Sequence, residues 1–243
     1  MNINNETIGI SAEVAIAESF KVPVSDEYIL RSDKSVVNLL QQKVLNIFTE
    51  KDIPVPVKHV AEGQNSIDFI LQDGTTLSVK TNQKRLDKVA PQRIGQPTSA
   101  TYFKYFNDII NCSIPASFEE KVKMFKMISI NHIEIVMKHY WVNLFECDHL
   151  IYFYNIIDKS GKINDDYKFL YIKKPNYVPI WDKHKFKFTK NLKSWGESCT
   201  VKYQSSSGKY ISIGEFQAHR NRDCLKFRFN MKGLLKLIES GSI

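Results

Sequence analysis

Apolar residues change their spacing several times along this chain, and each change marks an element. Residues 8–20 set Gly9, Glu13, Ile16, Ala17 and Phe20 on one stripe, and residues 33–50 do the same more strongly through Val36, Val37, Leu40, Val44, Ile47 and Phe48; both read as helices. Pro54 and Pro56 end the second. From residue 66 the period falls to two. Ile67, Phe69 and Leu71 alternate with polar residues, Asp73 and Gly74 mark a turn, and Leu77 and Val79 resume the alternation, which predicts a β-hairpin over 66–82. The two apolar sets share a face only if the connection is odd in length, most simply three residues with Gly74 at positive φ. In that register Asp68 lies on the same face as Ser78 and Lys80.

A polar, basic connector over 83–97 follows, with Lys84, Arg85, Lys88 and Arg93, and its length points to a functional segment. Thr98 or Ser99 caps a helix through Tyr102, Phe106, Ile109 and Ile110, and Ser117 with Glu120 forms a capping box opening a long helix over 118–146. Residues 150–157 are apolar and aromatic, as a strand buried on both faces would be. Short β-like runs at 169–173, 199–204, 209–217 and 224–230 precede a closing helix near 231–239. This order predicts an α/β fold, with a mixed sheet flanked by helices over 1–160 and a β-rich region over 161–243 packed on the same domain. Two turns in the latter collect polar groups: Lys202, Gln204 and Lys209 at one, Gln217, His219, Arg220, Asn221 and Arg222 at the other. Such side chains can read base edges, although ordinary hairpin loops carry them too.

With 243 residues the chain can bury a core without disulfides or bound metal. Its 34 Lys and Arg against 26 Asp and Glu, net +8, favour a polyanionic partner such as nucleic acid, as a Lys-rich solvated surface would also produce. Cys112, Cys147, Cys199 and Cys224 form no Cys-x-x-Cys pair, which argues against a zinc ribbon or a disulfide framework and for a reducing cytoplasm. The opening residues lack signal-peptide character and no apolar run would span a bilayer, so a soluble cytoplasmic protein is expected. The histidines form no zinc-hydrolase motif, and Gly-x-Ser-x-Gly, Walker and dinucleotide fingerprints are missing from the sequence; acyl hydrolases, NTPases and dehydrogenases lose support. Cys147-Asp148-His149 offers too few metal ligands and reads as a helix-to-strand corner.

Asp68, an intervening turn and Ser78-Val79-Lys80 resemble the active-site hairpin of the PD-(D/E)XK nuclease superfamily. The order of a carboxylate-bearing N-terminal helix, this hairpin and a distal β region resembles that of a small type II restriction endonuclease. Ser78 stands where the superfamily motif has Asp or Glu, and no proline precedes Asp68. The resemblance implies a restriction-endonuclease-like fold with a DNA-recognition region, double-stranded DNA as substrate, Mg²⁺ as cofactor, and products with 5′-phosphate and 3′-hydroxyl ends. Asp68 and the Val79 backbone carbonyl would hold the metal, Ser78 at most a metal-bound water, and Lys80 would orient or deprotonate the attacking water. Glu13 would supply the missing acid, directly or through water, with Glu18 and Glu62 in reserve. Asn82, Lys84, Arg85, Lys88 and Arg93 would grip phosphates, while Lys202, Gln204, Lys209, Gln217, His219, Arg220, Asn221 and Arg222 would read bases. A companion DNA methyltransferase is also implied, and monomer or homodimer, like one metal ion or two, stays open. The competing readings are a surface ion pair for Asp68 and Lys80, a paired structural carboxylate for Glu13, and for the chain a non-catalytic DNA- or RNA-binding module or a structure-specific repair nuclease.

Overall fold

The computed structural model describes residues 4–61, 65–86, 88–111, 113–158 and 160–243, apart from the side chains of Asp108 and Ile110. In chain order its elements are α1 (Asn5–Ser19), α2 (Asp26–Leu30), α3 (Lys34–Glu50), β1 (Pro56–His59), β2 (Phe69–Leu71), β3 (Thr76–Asn82), β4 (Lys88–Val89), α4 (Ser99–Ile110), α5 (Phe118–Asn131) and α6 (Ile133–Leu144). There follow β5 (His149–Tyr154), β6 (Lys168–Lys173), β7 (Phe186–Phe188), β8 (Ser198–Gln204), β9 (Tyr210–His219), β10 (Cys224–Asn230) and α7 (Met231–Glu239). The fold is mixed α/β.

Two compact units result, Met1–Leu86 with Phe145–Pro175, and Asp87–Leu144 with Asn176–Ile243. The boundary therefore differs from the 1–160 and 161–243 division that chain order implies. The reason is topological: β5 runs parallel to β3, and a parallel pair needs a long crossover. Here the crossover contains α4, α5 and α6, which carry enough apolar surface to form a core with the second sheet.

In the first unit the strand order is β1-β2-β3-β5-β6, antiparallel except between β3 and β5. Phe69, Leu71, Leu77, Val79, Ile151 and Phe153 join a core built with α1 and α3. Contrary to the single stripe its sequence predicts, α1 is buried from Ile10 through Ala17, because its small and aliphatic residues let neighbours approach on several sides. Asp33 caps α3 by accepting the Ser35 and Val36 amides. The hairpin has the expected register: Phe69 opposes Leu77, Ile70 opposes Thr76, and the Leu71 amide donates to the Thr75 carbonyl at 2.8 Å. Gln72, Asp73 and Gly74 form the connection, with Gly74 at φ +83°.

The second unit holds an antiparallel sheet in the order β4-β10-β9-β8-β7. One face is aromatic: Phe227 stacks on Tyr140 of α6 at 4.3 Å between centroids, Phe216 lies 4.7 Å from Phe227, and Phe125 of α5 lies 5.8 Å from Phe216. The capping box at Ser117 and Glu120 forms as expected. The single helix expected over 118–146 is instead two, broken at His132, whose φ of −123° leaves the helical region. In α7, a Cβ on Gly233 would stand 1.8 Å from the Ser212 carbonyl oxygen of β9. Gly233→Ala is therefore expected to destabilise the protein by about 1–3 kcal/mol despite its better helix propensity. Urea unfolding checks this; an unchanged or raised midpoint would contradict the close approach.

Candidate active site

Where β2 and β3 part, a side chain takes the place of the ladder. In β3 and the residue before it, alternate peptide groups face β2: the Leu71 amide donates to the Thr75 carbonyl and the Asp68 amide to the Leu77 carbonyl. The next peptide group in the series belongs to Val79, and its N–H donates to Asp68 Oδ2 at 2.5 Å. Alternation places the Val79 carbonyl on the same edge. The Ser78 hydroxyl donates to that Oδ2 as well, at 3.1 Å. Ser78 thus orients the carboxylate.

Asp68 is 6% exposed. Burial pushes its carboxyl up to about 6, the Lys80 ammonium is the largest opposing influence, and the negative charge of Glu13 adds to the rise. Lys80 is half-buried and, among the described residues, makes no hydrogen bond or ion pair. The pair is thus no surface salt bridge: its acid is buried and its amine is left available.

Glu13 is 9% exposed and rises from α1 among apolar neighbours. Its Oε2 accepts from the Tyr28 hydroxyl at 2.6 Å and lies 3.0 Å from His59 Nε2, which must carry the proton to donate. Burial and the Glu13 carboxylate hold the Tyr28 phenol well above its ordinary range, so it stays a donor. His59 is fixed between the rings of Tyr28 and Phe69. Oε1 of Glu13 takes no hydrogen bond among the described residues. Tyr28, on the short α2, and His59, on β1, escape sequence reading because only tertiary contact brings them to Glu13. Glu18 accepts from Gln41 on the exposed side of α1, and Glu62 lies outside the described residues.

Cys147 is a further neighbour of this site. Burial pushes its thiol up to about 11, Lys80 opposes that rise and Asp68 adds to it. It therefore lines the site as a neutral, apolar group. Asp148 accepts the Thr76 amide and hydroxyl at 3.0 and 2.7 Å, tying the starts of β3 and β5 together.

Among the described residues no group of three or more His, Cys, Asp and Glu side chains forms a metal cage. The donors around Asp68 nonetheless suit Mg²⁺, which takes one or two carboxylates and retains several waters. Asp68 Oδ1 carries no hydrogen bond among the described residues, the Val79 carbonyl shares its edge, and a cation relieves the burial that lifts the carboxyl.

The elevated Asp68 carboxyl carries a stability signature. Between its ordinary value of 3.8 and its native value of about 6 the folded chain holds more protons than the unfolded one, so this group's contribution falls as pH rises through that window. Without metal, Asp68→Asn is expected to be more stable than the parent above about pH 7, by on the order of 1–3 kcal/mol. The gain should vanish below about pH 4. Thermal unfolding at both pH values measures it, and a variant less stable at neutral pH would refute the buried-charge account.

The remaining candidates divide between the two units. Asn82 ends β3 and accepts the Lys84 amide, with Lys84 and Arg85 exposed beyond it. Lys88, expected in the same connector, instead belongs to β4 of the second unit and pairs with Glu215 at 2.8 Å; Arg93 is exposed in that unit too. Lys202 and Gln217 lie within strands rather than in the turns that the sequence pattern assigns, because β8 and β9 extend through them. Gln204 is tied to the Gly208 carbonyl, whereas Lys209 is exposed. His219 lies beside Gln217 at the end of β9, Arg220 pairs with Glu119 of α5, and Asn221 and Arg222 are exposed at the tip.

Over 233 residues the chain is 29% identical to the type II restriction enzyme CviAII of Paramecium bursaria Chlorella virus 1. The match takes in 96% of this chain and 60% of that enzyme, so the chain spans well under the full length of this curated relative. No family model and no solved structure matches. Among the described residues, no helix is long and apolar enough to cross a membrane.

Proposed function

We propose that this chain is a Mg²⁺-dependent type II restriction endonuclease of the PD-(D/E)XK kind, which hydrolyses double-stranded DNA at a short specific sequence. The observation that carries this reading is a buried, strand-capping Asp68 on the same hairpin face as a Lys80 without a pairing partner among the described residues. Similarity to a restriction enzyme across nearly the whole chain supports it.

The metal would be held by Asp68 and the Val79 carbonyl, with Glu13 as a direct or water-mediated neighbour; when bound it supplies positive charge to the phosphoryl oxygens and acidifies water. Ser78 and the Val79 amide fix the Asp68 carboxylate in one orientation. Tyr28 and His59 do the same for Glu13, leaving its other oxygen free to face the site. Lys80 orients the attacking water by its lone pair and balances charge on the scissile phosphate. The water oxygen forms the new bond to phosphorus as the bond to the 3′ oxygen breaks. The water's proton passes to solvent and the leaving oxygen takes one up, giving 5′-phosphate and 3′-hydroxyl ends. Lys84, Arg85 and Arg93 grip phosphates. A cytoplasmic home and a companion methyltransferase protecting the cell's own sites accompany this activity.

Incubation with unmethylated phage DNA and Mg²⁺ should give discrete fragments, and chelation of the metal should stop their formation. A protein that only binds nucleic acid would show salt-sensitive retention with no turnover. Uncut DNA across several phage genomes would overturn the proposal.

A further inference from the structure

Opposite its aromatic face, the second sheet is polar, and its register defines the array. Arg228 of β10 opposes Glu215 of β9, which opposes Thr200 of β8; one step along, Lys226 opposes Gln217 and Gln217 opposes Ser198. Lys88, Lys202 and Lys187 extend the same face, so among the described residues its cations greatly outweigh its carboxylate, Glu215. That carboxylate is central. Its Oε2 lies 2.8 Å from Lys88 Nζ and 3.1 Å from Arg228 Nη2, and it accepts from Gln217 Nε2 at 2.9 Å. Gln217 Oε1 in turn accepts from Arg228 Nη2 at 3.1 Å. Against burial, which pushes it up, the hydrogen bonds and charges of Lys88 and Arg228 hold the Glu215 carboxyl below its ordinary value, so it stays charged.

We propose that Arg228 reads a guanine in the major groove of duplex DNA, with Glu215 and Gln217 as positioning residues that hold its guanidinium. The inference rests on the endonuclease reading and deepens it. Both functions of the Gln217 amide are committed within the sheet, so Gln217 acts through Arg228 rather than on a base. Arg228 has one nitrogen, Nη2, held by both partners, while Nη1 makes no hydrogen bond among the described residues. With both Nη2 hydrogens committed and Nε buried, Nη1 and its two hydrogens remain to meet guanine O6 and N7, with little ordering of the side chain left to complete. Lys226 projects from the same face two residues away, about 7 Å or two base-pair steps along. DNA is the occupant favoured by the charge: a cationic face with a fixed donor meets a polyanion whose groove edges present acceptors. Exposed Arg220, Asn221 and Arg222 at the tip of the β9–β10 hairpin are placed for phosphates instead.

The test begins by mapping the cleaved sequence from fragment ends, then measures kcat/KM on oligonucleotide duplexes carrying every single base-pair change. In Arg228→Lys, preference for one G·C pair should drop about 5- to 150-fold, with preferences elsewhere kept. Glu215→Gln should relax the same position by less, an effect that a merely structural role would not confine to one base. Replacing each guanine by 7-deazaguanine against the unaltered protein requires no variant to fold, and one position should lose about tenfold or more. A cleaved sequence without guanine, or duplexes insensitive to 7-deazaguanine together with wild-type preferences in Arg228→Lys, would overturn the inference and leave the endonuclease reading intact. Failure of the unaltered protein to cut any DNA would remove both.

Discussion

Lys80→Ala should lose DNA cleavage by about 10³-fold or more in kcat/KM, equivalent to about 4 kcal/mol of transition-state stabilisation, while remaining folded. The separation of the two effects comes from its surroundings. Lys80 is half-buried and, among the described residues, has no hydrogen-bond or ion-pair partner, so truncating it breaks no hydrogen bond; it removes the ammonium's attraction for the Asp68 carboxylate and should alter stability by about 1 kcal/mol or less. Asp68→Ala should lose cleavage to the same extent for a different reason: it removes the carboxylate proposed to hold the metal and strips the Val79 amide of its acceptor. Lys80→Arg should not restore activity, because a guanidinium is bulkier and planar and cannot take the position from which a compact ammonium orients the attacking water. Single-turnover cleavage beside thermal unfolding reads both quantities. A folded Lys80→Ala protein cutting at the parental rate would sink the catalytic assignment.

The second large effect is on stability. Phe227 is fully buried, stacks on Tyr140 and meets Phe216 and Phe229 at 4.7 and 4.9 Å between centroids. Phe227→Ala should cost about 3–5 kcal/mol through lost burial and the cavity left behind. Against a typical total of about 5–15 kcal/mol, this is a large share of what holds a domain folded. Phe227→Leu, which keeps most of the volume, should cost about 1.5 kcal/mol or less. Urea midpoints for the pair measure the difference, and equal midpoints would contradict the cavity as the source of the cost.

The hairpin was legible in the sequence because two independent signals agreed: a strict period of two on both arms and a glycine where the turn needs positive φ. The capping box before α5 and the closing α7 were legible for similar local reasons. Other elements carried too little local pattern. β4 has two residues and β7 has three, α2 makes little more than one turn, and β1 begins at a proline inside a segment that read as a breaker. The all-round burial of α1 had no periodicity to reveal it, and the break at His132 falls in a stretch without glycine or proline to mark it. The unit boundary was hidden for a further reason, since neighbours in the first sheet are far apart in the chain. At the candidate site, Asp68, Ser78 and Lys80 followed from register alone, whereas Tyr28, His59 and Cys147 depend on contacts between distant segments. Arg228 and Glu215 did leave a trace: in Cys-Leu-Lys-Phe-Arg-Phe-Asn and the matching alternation of β9, charges occupy the positions opposite the aromatic ones.

The parallel pairing of β3 with β5 has a consequence for how the chain is made. A ribosome must deliver everything from Gln83 to Tyr154 before the strand bearing Lys80 gains its neighbour. Until then β3 presents an open edge to the cell, the kind of template on which incomplete chains stick to one another. Fragments that stop short of His149 should consequently precipitate, and rapid capture by chaperones would be part of the ordinary life of this protein.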